Sequence, residues 1–261
     1  MMRVVIVGGG AVAEAFACQI EAASKTAAPS LRLVQRWTRR THTPEDLASA
    51  DFYILAVSDG ATAEVSESLP FPDGSVVAHT AGGVELAALS PRITHRAVIY
   101  PLQTFSQGRV VADFRRVPLF VEGATEKALE TVRTVAAALS DNVAEMSSRQ
   151  RVRLHLAAVF ASNFPVAMLS LAEELAAEAG VPFETMKPLV AETFSKTLAA
   201  PSPRAAQTGP AKRGDEATQR KHIEILESAG REKPSLAARN QNLAELYRNI
   251  SEEIWRISKK N

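Results

Sequence analysis

The sequence predicts an α/β fold in its first half, a doubly wound parallel sheet over residues 1–145, followed by an all-α domain over residues 146–261. Three observations predict it. Short β-type runs alternate with helical runs through the first half, the pattern of a parallel sheet covered on both faces. The β signal stops near residue 145. Beyond it the apolar residues keep a helical period. With 261 residues, 46% of them hydrophobic, the chain can bury a core in each part.

The elements follow in order. "RVVIV" (3–7) reads as a buried strand and "AVAEAFACQIEAAS" (11–24) as a helix. "LRLVQRW" (31–37) and "DFYILAVS" (51–58) are strands, and "GATAEVSESL" (60–69) is a helix. Strands follow at 75–80, 96–102 and 117–123, then the helix "TEKALETVRTVAAAL" (125–139). From Ser147 to Gly180 a helical pattern persists, roughly 50 Å if unbroken, and Gly180 with Pro182 stops it. The next helical run, 183–200, holds Pro188 as a break, and 201–215 reads as the one long loop. Asp215 is placed to cap the helix that follows. Residues 235–258 form a final amphipathic helix.

Composition excludes several function classes. Lys plus Arg is 30 and Asp plus Glu is 29, so no global field draws the chain to nucleic acid or to an acidic membrane surface. A single cysteine, Cys18, permits no internal disulfide and fits a reducing compartment. The five histidines are scattered, so no metal site is expected. "MMRVVIVGGGAVAEAFAC" has some features of a leader, but Glu14 interrupts its apolar run and three consecutive glycines suit a turn. No apolar stretch reads as approaching the roughly 20 residues that span a bilayer. The expected location is the cytoplasm.

"VVIVGGGAVAEAF" places Gly8, Gly10 and Ala13 in the pattern GxGxxA between a strand and a helix. Gly8 permits the tight turn, Gly10 lets the backbone approach a pyrophosphate, and Ala13 lets helix and strand pack closely. Ala11 and Val12 open the helix, whose N–H groups and positive dipole end favour a phosphate. These are the expected dinucleotide-binding residues. After the second strand, "QRWTRRTHT" offers no acid until Glu45. Thr38, Arg39 and Arg40 stand where a carboxylate would select NAD, so they point to the 2′-phosphate of NADP. Val57 and Ser58, at the end of the third strand, border the expected cofactor, and Asp59 reads as a helix cap. His79 and Thr80 end the next strand, and Tyr100, Pro101, Gln103 and Thr104 end the one after. Both segments should reach the nicotinamide edge. His79 there is either a proton donor or a histidine satisfied by nearby backbone.

With "GGGAVA", "HTAGG" followed by "YPLQTFS", "RLHLAAVFASNF" and "TGPAKRGD" in that order, the chain resembles a bacterial family. It joins a Rossmann-like domain to a C-terminal domain of unknown function (number 2520), and its members are provisionally labelled NADP oxidoreductases. More distantly it is similar to 3-hydroxyisobutyrate dehydrogenase, ketopantoate reductase and pyrroline-5-carboxylate reductase. The resemblance implies a C-terminal domain like that of 6-phosphogluconate dehydrogenase, a homodimer built on the helical domains, and an active site between the two domains.

The hydroxyacid dehydrogenases of that group use a lysine on the first long helix. Residues 146–180 contain none, and His155 is the one group there that titrates near neutrality. Ser162 lies nearly on the face of His155, and Asn163 is turned further round. The two sit about 10–12 Å from His155 along the axis, too far for a dyad but able to bracket a small substrate. Pro165 removes the hydrogen bond to the carbonyl of Ala161, so a kink is expected there. In "TGPAKRGD", Thr208 and Arg213 are candidates for a loop that holds a substrate carboxylate. The expected activity is an NADP-dependent hydride transfer to or from a small carbonyl, hydroxy-acid or imine substrate, with His155 or His79 as proton donor. The missing lysine shifts weight toward imines, which can arrive already protonated. The alternative is an NADP-binding sensor or partner-binding protein without turnover.

Overall fold

A computed structural model of the chain describes residues 1–25, 30–109, 111, 113–232 and 237–259. Among the described residues seven strands form one sheet: β1 (Met2–Val7), β2 (Leu31–Trp37), β3 (Phe52–Leu55), β4 (Val76–His79), β5 (His95–Pro101), β6 (Leu119–Gly123) and β7 (Val143–Glu145). Their order is β2-β1-β3-β4-β5-β6-β7. All neighbours run parallel except β5 and β6, which are antiparallel, so the expectation of a wholly parallel sheet needs that one correction. β7 was not predicted: three residues carry too little pattern to announce a strand.

The sheet is covered on both faces, as the unbroken apolar run of β1 implies. Val4 and Ile6 pack with Ala13, Phe16 and Ile20 of α1 (Ala11–Ala23). Val5 and Val7 face the other way, onto Val65 of α2 (Thr62–Ser68) and Leu69. α3 (Glu126–Leu139) joins the first face through Ala128, Val132, Val135 and Leu139, and the Thr125 side chain caps it by accepting from the Ala128 N–H. Each fully buried Val, Leu, Ile or Phe contributes about 1.5–3 kcal/mol of transfer free energy.

Helix follows the last strand at once. α4 (Ser148–Ala158) starts on a capping box between Ser147 and Gln150. Its Arg151 is fully buried, donating to Glu122 of β6, to the Val84 carbonyl and to Ser148 Oγ. The chain divides into two compact units, Met1–Leu169 and Ser170–Asn261. β structure ends at Glu145, but the division falls later because this buried anchor keeps α4 with the sheet.

Between α4 and α5 (Phe164–Glu178) the helix does not break. It widens into a π turn over Val159–Asn163, where the Phe164 N–H reaches back to the Val159 carbonyl. Pro165 withholds the α-helical bond to Ala161, and one longer-reaching turn absorbs the loss. The sharp kink expected there is therefore a bulge. The whole helix Ser148–Glu178 is long and apolar enough, by length and composition, to cross a membrane. That corrects the expectation that no apolar stretch approaches such a length: His155 and the few arginines lie at its N-terminal end and leave a long alanine-, leucine- and phenylalanine-rich remainder.

The second unit continues with α6 (Lys187–Ala199), α7 (Pro203–Ala206), α8 (Pro210–Arg213), α9 (Glu216–Glu232) and α10 (Ala237–Lys259). Pro188 opens α6 instead of breaking it, because a proline in the first turn sacrifices no helical bond. The long loop at 201–215 holds two short helices, each begun at a proline. Asp215 caps α9 as expected, accepting from the Thr218 N–H at 3.0 Å. Gly214, with φ of +69°, lets the chain pass the ring of Trp255 on α10, which a Cβ would meet at 3.0 Å.

Candidate functional site

β1 and β3 are neighbours whose connections leave on opposite faces of the sheet, so a crevice opens beyond their C-terminal ends. Gly8 follows β1 with φ of +141°, and a Cβ there would lie 2.1 Å from the Ala56 carbonyl that follows β3. Only glycine fits both the torsion and the approach. Gly10 is different: a Cβ on it would meet nothing within 4 Å. It is the N-cap of α1, and no side chain caps that helix. The first turn thus presents backbone N–H groups to open space, as an anion site requires.

The space is a cavity of about 970 Å³. Gly8–Val12, Ala56–Asp59, Thr80–Gly82 and Tyr100–Phe105 line it, with Leu154, His155, Ala157–Val159 and Ala161–Asn163 of the long helix. Of the expected cofactor residues, Gly8, Gly10, Ala11, Val12, Val57, Ser58 and Thr80 all line it. Thr38, Arg39 and Arg40 lie beyond its rim at the end of β2, with Thr38 Cγ2 3.4 Å from where a Cβ on Gly9 would stand. Arg39 is exposed and pairs with Glu64 at 2.8 Å.

His155, Ser162 and Asn163 line the same cavity. The local sequence explains why. Arg151 and His155 are four apart on α4 and share a face. Arg151 drives into the core, so His155, one turn on, is held at the cavity wall. Its Nδ1 lies 3.3 Å from the hydroxyl of Tyr100, and the two rings meet edge to face. Tyr100 is buried, and desolvation raises the pKa of its phenol above the ordinary value, so it stays neutral at physiological pH. Gly82 makes room for the pair: a Cβ there would stand 2.6 Å from His155 Nδ1 and 2.7 Å from Tyr100 Cε2.

Two expectations are corrected. His79 does not reach the cavity. It is fully buried, and its Nδ1 accepts from the Ala81 N–H at 3.2 Å. Burial, helped by the nearby charge of Arg151, lowers its pKa to about 4, so it is neutral at physiological pH. Asp59 does not act as a cap. It opens the turn Asp59–Ala61, whose N-cap is Ser58, and no side chain caps that turn. Thr208 and Arg213 belong to the second unit, where Gly209, at φ of +102°, turns the chain into α8 and the Thr208 carbonyl accepts from Gln207. Tyr100 stands at the edge that its place in the sequence predicts, and its pairing with His155 is new. Gly82 and the Arg151–Glu122 anchor are not among the expected residues, though "HTAGG" advertises a close approach by its paired glycines.

Residues 117–254 match the family described as Domain of unknown function (DUF2520). The chain belongs to the DUF2520 family. A provisionally named NADP oxidoreductase from Bacteroides fragilis is similar over 98% of both chains, at 29% identity and a TM-score of 0.79. A reductive aminase from Aspergillus terreus, solved with NADPH and ethyl levulinate, is 16% identical over 97% of this chain and 94% of that one, with a TM-score of 0.62. A 1-pyrroline-5-carboxylate reductase from Streptococcus pyogenes is 14% identical over 97% and 98%, with a TM-score of 0.55. The last two share the Rossmann-type fold with this DUF2520 member. No curated protein matches it significantly.

Proposed function

We propose that this DUF2520 protein is an NADP-dependent oxidoreductase that transfers a hydride between the nicotinamide and a small carbonyl, hydroxy-acid or imine substrate. One observation carries the reading: a single cavity runs from the glycine turn Gly8–Val12 to His155, Ser162 and Asn163. The residues at its first end suit a dinucleotide, since Gly10 opens onto free space and the first turn of α1 is uncapped. Gly8, Gly10, Ala11 and Val12 would hold the pyrophosphate, and Val57, Ser58 and Thr80 would border the rest. Thr38, Arg39 and Arg40 would hold the 2′-phosphate, for which Arg39 exchanges its exposed pairing with Glu64. The resemblance to the Bacteroides protein, named for NADP, supports the same choice. The bound cofactor supplies the hydride.

The protein's own part is orientation and proton movement. Tyr100 bonds His155 Nδ1 and so fixes the ring. His155 is half-buried, able to give a proton to an alkoxide and regain it from water. Ser162 and Asn163 bracket the substrate from the π turn. His79, neutral and away from the cavity, has no part in this reading. The sheet-bearing segment 1–145 serves the cofactor. Segment 146–261 serves substrate and dimer formation, with a second copy of the chain covering Leu156, Phe160 and Val166, all exposed on the long helix.

Three measurements test this. NADPH titration followed by fluorescence should saturate, with NADH far weaker; no saturable binding of NADPH overturns the reading. A panel of small ketones, keto acids and ketone–amine mixtures should reveal NADPH oxidation. His155→Ala should lower kcat about 10²- to 10⁴-fold with NADPH affinity kept. Tight NADPH binding with no turnover on any substrate would favour the sensor instead. Light scattering should return a dimer mass, shifted toward monomer by Phe160→Asp.

A further inference from the structure

The cavity carries an uneven charge that bears on what it can accept. Its polar side chains include Asp59, Tyr100, His155, Ser162 and Asn163, and no lysine or arginine is among the described residues lining it. Asp59 supplies the one carboxylate among the described residues lining it. A carboxylate entering here would meet that charge with no cation of the lining to offset it.

The Asp59 side chain has no structural partner. It is exposed, it caps no helix, and its carboxylate makes no hydrogen bond or ion pair among the described residues, while its backbone carbonyl accepts from the Thr62 N–H. Its carboxylate nonetheless stands beside the proton-carrying pair. A Cβ on Gly83 would lie 3.3 Å from Asp59 Oδ2 and 3.9 Å from His155 Nε2, so both groups flank the same glycine. Asp59 is close enough to Tyr100 for its charge to act on the phenol.

We infer that Asp59 is the counter-charge for a substrate with a basic nitrogen, so that the site takes an amine, or the iminium ion derived from one, and disfavours carboxylic acids. The inference rests on the oxidoreductase reading and narrows its substrate class. The chemistry balances with the hydride donor named above. An iminium carbon accepts a hydride from NADPH, the C=N π pair withdraws onto nitrogen, and NADPH leaves as NADP⁺. No proton is needed in that step, and the amine formed is protonated afterwards from water. In reverse, the ammonium group must first lose a proton, for which His155 Nε2 stands opposite Asp59.

The test compares two probes of one shape and opposite charge, cyclohexylamine and cyclohexanecarboxylate, by calorimetry on the full chain with NADPH bound. Binding of the amine should be at least about tenfold tighter. Asp59→Asn should abolish that preference while NADPH affinity holds, and Asp59→Glu should keep most of it. With cyclohexanone, NADPH oxidation should rise when methylamine is added and should fall in Asp59→Asn. Equal or tighter binding of the carboxylate overturns the inference, as does a preference that survives Asp59→Asn. Loss of NADPH binding in Asp59→Asn would assign the carboxylate to the cofactor and overturn it too. If the unmodified chain binds no NADPH, the oxidoreductase reading falls by itself. The amine preference is then decided by the same two probes on the chain alone.

Discussion

Glycines at three positions do three different jobs, and substitution separates them. At Gly8 a side chain would meet both a forbidding torsion and the Ala56 carbonyl at 2.1 Å. Gly8→Ala should therefore destabilise the fold by about 3 kcal/mol or more, read as a fall in the urea midpoint. Gly10 has ordinary torsions and open space, so Gly10→Ala should unfold within about 0.5–1 kcal/mol of the parent and yet weaken NADPH binding, because its methyl group enters the cofactor's path. At Gly82 the neighbours are the rings of His155 and Tyr100. Gly82→Ala should separate that pair, lowering kcat about tenfold or more with a smaller effect on NADPH affinity. The GxGxxA spacing announces the first two roles. For the third, the paired glycines of "HTAGG" announce a close approach but not its partners, since Gly82, Tyr100 and His155 come from three separate segments and meet only when the sheet and α4 are assembled.

Among the elements, α4 is tied to the sheet unit through Arg151 and Ser148. Arg151 is fully buried against Glu122, Val84 and Ser148, and His155 sits one turn further on. Arg151→Met should cost about 3–5 kcal/mol in urea unfolding, because Glu122 keeps a partly buried charge and Val84 an unmatched carbonyl. Adding Glu122→Gln should recover part of the loss, since the uncompensated charge is then gone. Helical periodicity made α4 and α5 legible, and Pro165 marked the place of an irregularity. Its form was not legible. A proline within a helix can give a kink, a break or a widened turn, and over Val159–Asn163 it is the last. β7 and the two short helices at 203–206 and 210–213 escaped because three or four residues hold too little periodicity to be read.

For the whole molecule, acid should be felt through His79. Its pKa falls from an ordinary 6.5 to about 4 on folding, chiefly through burial. The unfolded chain therefore binds the extra proton between those values, and the folded chain does not. The stability His79 contributes is fully present above pH 6.5 and declines as pH falls toward 4, by about 3 kcal/mol in all. Urea midpoints measured from pH 7 to pH 4 should show that slope, and His79→Asn should flatten it. The sequence by itself determined the α/β sheet, the glycine turn, the helical second half and the DUF2520 likeness, because periodicity and short motifs are written in consecutive residues. Only the tertiary structure decided which of the scattered histidines faces the cavity, what holds it there, and that Asp59 stands free beside it. Those facts depend on burial and on distances between residues far apart in the chain, which appear only once the backbone is closed around a core.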